Sequence, residues 1–166
     1  MTLHRSLSSP LEPPNSYIPA SSFDILITDI TETDYESLAG ETGVRRLSIS
    51  DTEGSFPVNG ILYGRNFRVF IPLVVSKRRS KLNILFFVDT GSPTTFLRPD
   101  TLAALGFTEA IPAETIVSIN GVNLTVSVSH AHFYNVDLLG QDFFRAANAV
   151  LTVDYKALEV RVIQAT

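Results

Sequence analysis

The chain has 166 residues, 45% hydrophobic and 18% charged, with a formal net charge of −4. That length suits one domain with a real core and is too short for two, and the acidic balance excludes a nucleic-acid footprint spread over the surface. Cysteine is absent, which removes disulfides, thiolate metal sites and cysteine nucleophiles together and fits a reducing compartment.

Residues 1–22 combine Pro, Ser and polar residues without an apolar core. They read as a mobile leader and not as a signal peptide or membrane anchor. No apolar run approaches the roughly 18 residues of a spanning helix, so a soluble cytoplasmic protein is expected, with no membrane partner. Residues 23–59 read as an N-terminal extension. Within it FDILITDI predicts a strand, and TETDYESLAG predicts a short helix with Thr33 and Glu36 at capping-box spacing and Gly40 as its stop. ETGVRRLSISDTEGSFPVNG reads as loops around one short apolar stretch. The main domain is expected over 60–166, where the pattern turns to strands.

NFRVFIPLVV and KLNILFFV are apolar and rich in β-branched and aromatic residues, so they predict two strands joined by the SKRRS hairpin. Pro72 withholds a ladder N–H and predicts an edge strand or a bulge. Lys77, Arg78, Arg79 and Lys81 read as a solvated hairpin tip. RPDTLAALGF predicts a short helix with Pro99 in its first turn, Leu102 and Leu105 on one face and Gly106 as its stop. Asn120-Gly121 is the strongest turn signal in the chain and predicts a hairpin from TIVSI to VNLTVSV; the Asn123-Leu124-Thr125 sequon inside it reads as ordinary strand. The remainder predicts a strand ending at Leu138-Leu139-Gly140, a short helix from Asp142 to Ala147, and two closing strands around Tyr155-Lys156. The fold class is therefore all-β, mostly strand with two or three short helices.

One element does not fit a purely structural reading. FFVDTGSPTTFL runs an apolar strand into Asp89 and leaves through small hydroxyl residues. Burying an unpaired carboxylate costs several kcal/mol or forces protonation, to the order of magnitude known for such groups, so this placement points to chemistry. A carboxylate that activates water belongs at a strand end facing a cleft, fixed by nearby donors. Thr90 and Ser92 offer hydroxyls there, and Gly91 permits a tight turn.

Asp89-Thr90-Gly91-Ser92 after an apolar strand, a return strand from Thr94 to Leu97, a short helix, and then Leu138-Leu139-Gly140 followed by QDFF and a final strand pair resemble the retropepsin-like aspartic proteases. The resemblance covers roughly residues 60–164. It implies an acid-protease barrel with one lobe per chain, in which Asp89 is the catalytic carboxylate. It further implies that Thr90 braces the loop between subunits, that Gly91 allows the turn and that Ser92 hydrogen-bonds the Asp. Leu138, Leu139 and Gly140 would pack beside the loop and support it. Aspartic proteases need two carboxylates that share a proton. A chain with one Asp-Thr-Gly then implies a twofold homodimer acting on a peptide or protein substrate, with no cofactor and no metal.

Asp137, Asp142 and Asp154 stand in no second Asp-Thr-Gly or Asp-Ser-Gly and read as structural, Asp142 as an early-helix charge. His130-Ala131-His132 would put two imidazoles on one strand face, but no third ligand is evident. Phe143 and Phe144 read as core or interface residues. Between Gly106 and His130 there is room for one hairpin where the family's pattern would use two. The Asn120-Gly121 hairpin is either a short flap over the site or the later strand pair, and its apolar pattern favours the second. Three functions follow: an active homodimeric aspartic endopeptidase, a retropepsin-fold dimerisation or peptide-binding module with little activity, or a protease domain of a retrotransposon polyprotein.

Overall fold

Nine strands, three short α-helices and a 3₁₀ turn at Ala131–Phe133 make up residues 27–166, the part of the chain that the computed structural model describes. The strands are β1 (Val58–Tyr63), β2 (Arg68–Lys77), β3 (Ser80–Val88), β4 (Phe96–Leu97), β5 (Glu114–Ile119), β6 (Val122–Val128), β7 (Asp137–Leu139), β8 (Ala149–Asp154) and β9 (Glu159–Gln164). The helices are α1 (Asp34–Thr42), α2 (Pro99–Ala104) and α3 (Gln141–Ala146).

Six of the strands close on themselves in the order β2-β3-β7-β4-β6-β5, and β5 returns to β2. Closure leaves these strands without a free sheet edge. β1 leaves β2 after a short pairing and continues onto β9, which carries β8 on its far side.

Unbroken apolar runs in β2 and β3 follow from burial on both faces. Ile84, Phe86 and Val88 point into the barrel with Ile71, Leu73, Val75, Ile119 and Leu139. Leu85 and Phe87 point outward, where Ile27, Ile30, Tyr35, Leu38 and Val136 cover them in a second apolar cluster. Each such side chain contributes about 1.5–3 kcal/mol of transfer free energy, so residues 27–38 stabilise the sheet they cover.

The β2–β3 and β8–β9 hairpins, α2 and its buried Leu102 and Leu105 match expectation. So does the Asn120-Gly121 turn, where both residues have positive φ as a two-residue hairpin requires. Several expectations change. Of FDILITDI, residues 27–30 form no strand, and the rest lies outside the described residues; Ile27 and Ile30 act as anchors into the second cluster instead. Helix α1 runs past Gly40 and stops at Gly43, whose φ is 71° and whose N–H reaches Ala39 O. Thr33 has helical backbone angles and makes no side-chain cap. Asp34 instead reaches back to the turn before the helix, accepting the Thr31 N–H at 2.7 Å.

Pro72 does not mark an edge strand. It sits where the outer side of β2 changes partner: β1 pairs as far as Phe70 and β5 begins at Val75, so the missing N–H falls in the gap.

Candidate active site

β7 runs parallel to β3, with Phe87 opposite Leu138 and Val88 opposite Leu139. The ladder is carried one step further by the Asp89 N–H, which donates to Leu139 O at 3.0 Å. The backbone of Asp89 is thus fixed by the second motif. Its Oδ1 accepts the Gly91 N–H at 2.9 Å, and a Cβ at residue 91 would crowd that oxygen at 3.1 Å. Among the described residues Oδ2 takes no donor, and Asp89 is half-buried. One oxygen is oriented and the other is available to a reactant.

The loop beyond Asp89 is clamped by the start of α3. The Gln141 N–H donates to Ser92 O at 2.8 Å, and the Gln141 side-chain amide donates to Thr90 O. Ser92 differs from expectation: its hydroxyl donates to Thr94 O at 2.7 Å, leaving its backbone N–H to serve the Asp89 carbonyl at 3.1 Å. The tight turn brings the Thr94 carbonyl within reach of the short hydroxyl side chain, a local competition common for serine. Thr90 is exposed, and its hydroxyl has no partner among the described residues. Leu138 and Leu139 are buried in the outer and barrel clusters respectively. Gly140 is required by close approach, because a Cβ there would overlap the Thr94 carbonyl.

Two supporting residues escaped the sequence reading. Thr95 is fully buried, accepts the Gly140 N–H at 3.0 Å and donates its hydroxyl to Asp142 Oδ1 at 2.6 Å. Asp142 Oδ2 also takes the Thr95 N–H at 3.0 Å. Asp142 is therefore more than a helix-dipole charge, since it ties α3 to the end of the Asp89 loop. A Thr two residues before Leu97 and an Asp two residues after Gly140 carry no signal of this pairing in sequence.

Behind the loop lies a buried ionic cluster. Asp137, opposite Phe86 in β7, is wholly buried and accepts the Arg98 N–H at 2.8 Å, Arg46 Nε at 3.1 Å and the Thr101 hydroxyl at 3.0 Å. Burial pushes the Asp137 carboxyl upward, while Arg46 and these donors pull it back. Arg46 and Arg98 each grip Asp100 through two nitrogens, and both guanidinium groups face the Tyr35 ring at 5.5 and 5.3 Å. Burial pushes the Tyr35 hydroxyl well above its ordinary value, with the Asp137 charge acting in the same direction. That hydroxyl donates to Asn135 O at 2.7 Å. The N-terminal segment is thereby tied to the strand that holds Asp89.

Asp89, Thr90 and Gly91 open onto a cleft of about 630 Å³ whose apolar wall includes Val69, Leu151 and Val153, with Phe67 and Tyr155 at its rim. Arg68 also borders it and pairs with Asp29 at 2.9 Å. Burial works against the Asp29 charge, but bonds from Arg68 and Asn66 outweigh it and hold the carboxyl below its ordinary range. A second concavity of about 550 Å³ lies between residues 54–57, the Asn120-Gly121 turn and β9. It contains Arg161 but no carboxylate.

The Asn120-Gly121 hairpin is a barrel member: β5 pairs with β2 and β6 with β4. Asn120 closes its tip onto the barrel, accepting the Val74 N–H at 2.8 Å. Residues 107–113, between α2 and β5, contain no strand. His130 and His132 do not alternate on a strand, because residues 131–133 form the 3₁₀ turn. His132 Nδ1 takes the Ile27 N–H at 3.4 Å, and His130 packs on Phe96 and Phe133. Among the described residues no group of three His, Asp or Glu could hold a metal. Phe143 is core, with Phe144 packed beside it. No described helix is long and apolar enough to cross a membrane.

No family model matches the chain, and no curated protein matches it. Its structure is similar to the crystal structure of a retropepsin-like aspartic protease from Rickettsia conorii, at 20% sequence identity and a TM-score of 0.47, covering 70% of this chain and 100% of that one. The family in that description is the one the two sequence motifs resemble.

Proposed function

We propose that the chain is an aspartic endopeptidase that works as a homodimer. The observation that carries this reading is the state of Asp89: a strand-end carboxylate lining a cleft, backbone-locked by Leu139, with Oδ1 held by Gly91 and Oδ2 without a donor among the described residues. Two such carboxylates, one from each subunit, supply the required base and acid. One takes a proton from water as the oxygen attacks the peptide carbonyl carbon, and the other donates a proton to the carbonyl oxygen. Collapse of the tetrahedral intermediate then breaks the C–N bond as the amine leaving group is protonated. A retrotransposon polyprotein protease would use the same chemistry. The absence of cysteine suits a cytoplasmic setting.

A second reading is favoured by the hairpin built into the barrel, which leaves residues 105–113 as the segment between α2 and β5. With little chain to close over a peptide, the fold would serve as a dimerisation or peptide-binding module. The deciding experiment is digestion of a mixed peptide library by wild type and Asp89→Asn across about pH 4 to 7, read by mass spectrometry. Cleavage by wild type alone is expected. Full activity in Asp89→Asn would remove Asp89 from the chemistry, and no cleavage by folded, dimeric wild type would select the binding module.

A further inference from the structure

Period-two alternation along β3 puts Leu85, Phe87 and Asp89 on one face, the outer one, while Ile84, Phe86 and Val88 point into the barrel. Leu138 of β7 stands beside Phe87 on that outer face, with Phe96 of β4 next to it. The reactive carboxylate therefore sits at the margin of a continuous apolar surface. Residues 27–44 lie on that surface. Ile30, Tyr35 and Leu38 are buried against it, and Ile27 reaches the wall of the Asp89 cleft.

This segment is attached unlike any barrel strand. Among the described residues no backbone–backbone hydrogen bond joins 27–46 to the rest of the molecule, and such pairing starts only where Leu47 N–H donates to Asn83 O at 2.8 Å. Side chains at the rim make the polar ties instead. Asp29 pairs with Arg68 at 2.9 Å and Glu32 with Arg98 at 2.8 Å, the Tyr35 hydroxyl donates to Asn135 O at 2.7 Å, and the Tyr63 hydroxyl donates to Asp34 at 2.8 Å. A unit without ladder bonds opens at a lower free energy than the closed sheet beneath it. Gly43, at φ 71° between α1 and Leu47, gives it a hinge.

We propose that residues 27–44 are an intramolecular cover that occupies the peptide-binding face beside Asp89 and must lift for efficient cleavage. This rests on the endopeptidase reading, which requires a peptide to lie against Asp89. The ligand that fits beneath is a peptide segment with apolar side chains, the chemistry that Ile30, Tyr35 and Leu38 present there now. Wild type then cleaves only in proportion to its open fraction.

Leu38→Asp in the full chain provides the test, because it places a carboxylate at a fully buried position of the cover and touches no residue of the Asp89 loop. Hydrogen exchange over 27–44 should quicken while β5 and β6 stay protected, and peptide cleavage should rise by about tenfold or more. A synthetic peptide of residues 27–44 added in trans should bring that cleavage back down, whereas the same peptide carrying Leu38→Asp should not. Glu32→Ala, which removes one exposed tie and leaves the apolar packing, decides the question where Leu38→Asp unfolds the barrel: exchange over 27–44 and cleavage should then rise together by about twofold.

Faster exchange over 27–44 with no gain in cleavage, in a protein whose wild type does cleave, overturns the cover and leaves the protease reading intact. No cleavage by wild type or either variant, with fluorescently labelled 27–44 peptide bound by Leu38→Asp and not by wild type, supports the covered peptide face and removes the protease reading. Neither cleavage nor peptide binding by any of the three overturns both.

Discussion

The Asp89 loop and the Arg46–Asp137–Arg98 cluster sit at opposite ends of the same short β3–β7 ladder, yet they are held by different physics. The loop is built from backbone: Leu139, Gly91, Ser92 and Gln141 supply its bonds, and one half-buried carboxylate, Asp142, closes it through Thr95. The cluster is built from charge, with two arginines, two aspartates and Glu32 meeting around Tyr35. The first arrangement leaves one carboxylate oxygen without a donor among the described residues. The second leaves every buried side-chain polar atom paired among the described residues. A reactive group and a structural anchor thus differ in whether the fold completes their hydrogen bonding.

Breaking the anchor should have the largest effect on stability. Arg46→Ala removes the guanidinium from wholly buried Asp137 and should cost about 3–5 kcal/mol, seen as a lower urea midpoint. A loss under about 1 kcal/mol would mean that the cluster behaves as a surface pair. Gly140→Ala tests the loop by steric means, forcing a Cβ against the Thr94 carbonyl. It should cost about 1–3 kcal/mol and depress peptide cleavage further than Arg46→Ala does at a matched folded fraction.

Asp142→Ala strands the Thr95 N–H and hydroxyl in the interior and should cost about 1–3 kcal/mol. Restored stability in Asp142→Asn, which keeps one acceptor, would show that hydrogen bonding and not charge holds the loop.

Acid sharpens the contrast. Asp29 and Asp100 are held below the ordinary value of 3.8 by arginine partners that outweigh their burial, and Asp34 by Thr31 and Tyr63. A depressed carboxyl contributes stability that is complete above its unfolded value and is lost as pH falls through its folded one. Residues 27–49 should therefore become sensitive to proteolysis below pH 3.8, while amides of the Asp89 loop stay protected to lower pH. Loosening of both regions together would show that the segment and the loop form one cooperative unit. The smallest effect is expected at the exposed hairpin tip, where Arg78→Gly should change stability by within about 0.5 kcal/mol, since residue 78 already has a positive φ of 54°.

What the sequence determined by itself was local. Apolar runs rich in β-branched and aromatic residues, the Asn120-Gly121 turn, Pro99 and Gly106 around α2, and the two ordered motifs each depend on a few adjacent residues, so they were legible without a fold. Tertiary structure decided the rest, because its causes lie far apart in the chain. Ile27 meets His132, Tyr35 meets Asn135, and Arg46 meets Asp137 across 91 residues. The same holds for Thr95 with Asp142, for Pro72 in the gap between β1 and β5, and for the hairpin that joins the barrel. A polar residue in sequence states which bonds it can make; only the closed sheet, by bringing distant segments into one low-dielectric interior, decides which ones it must.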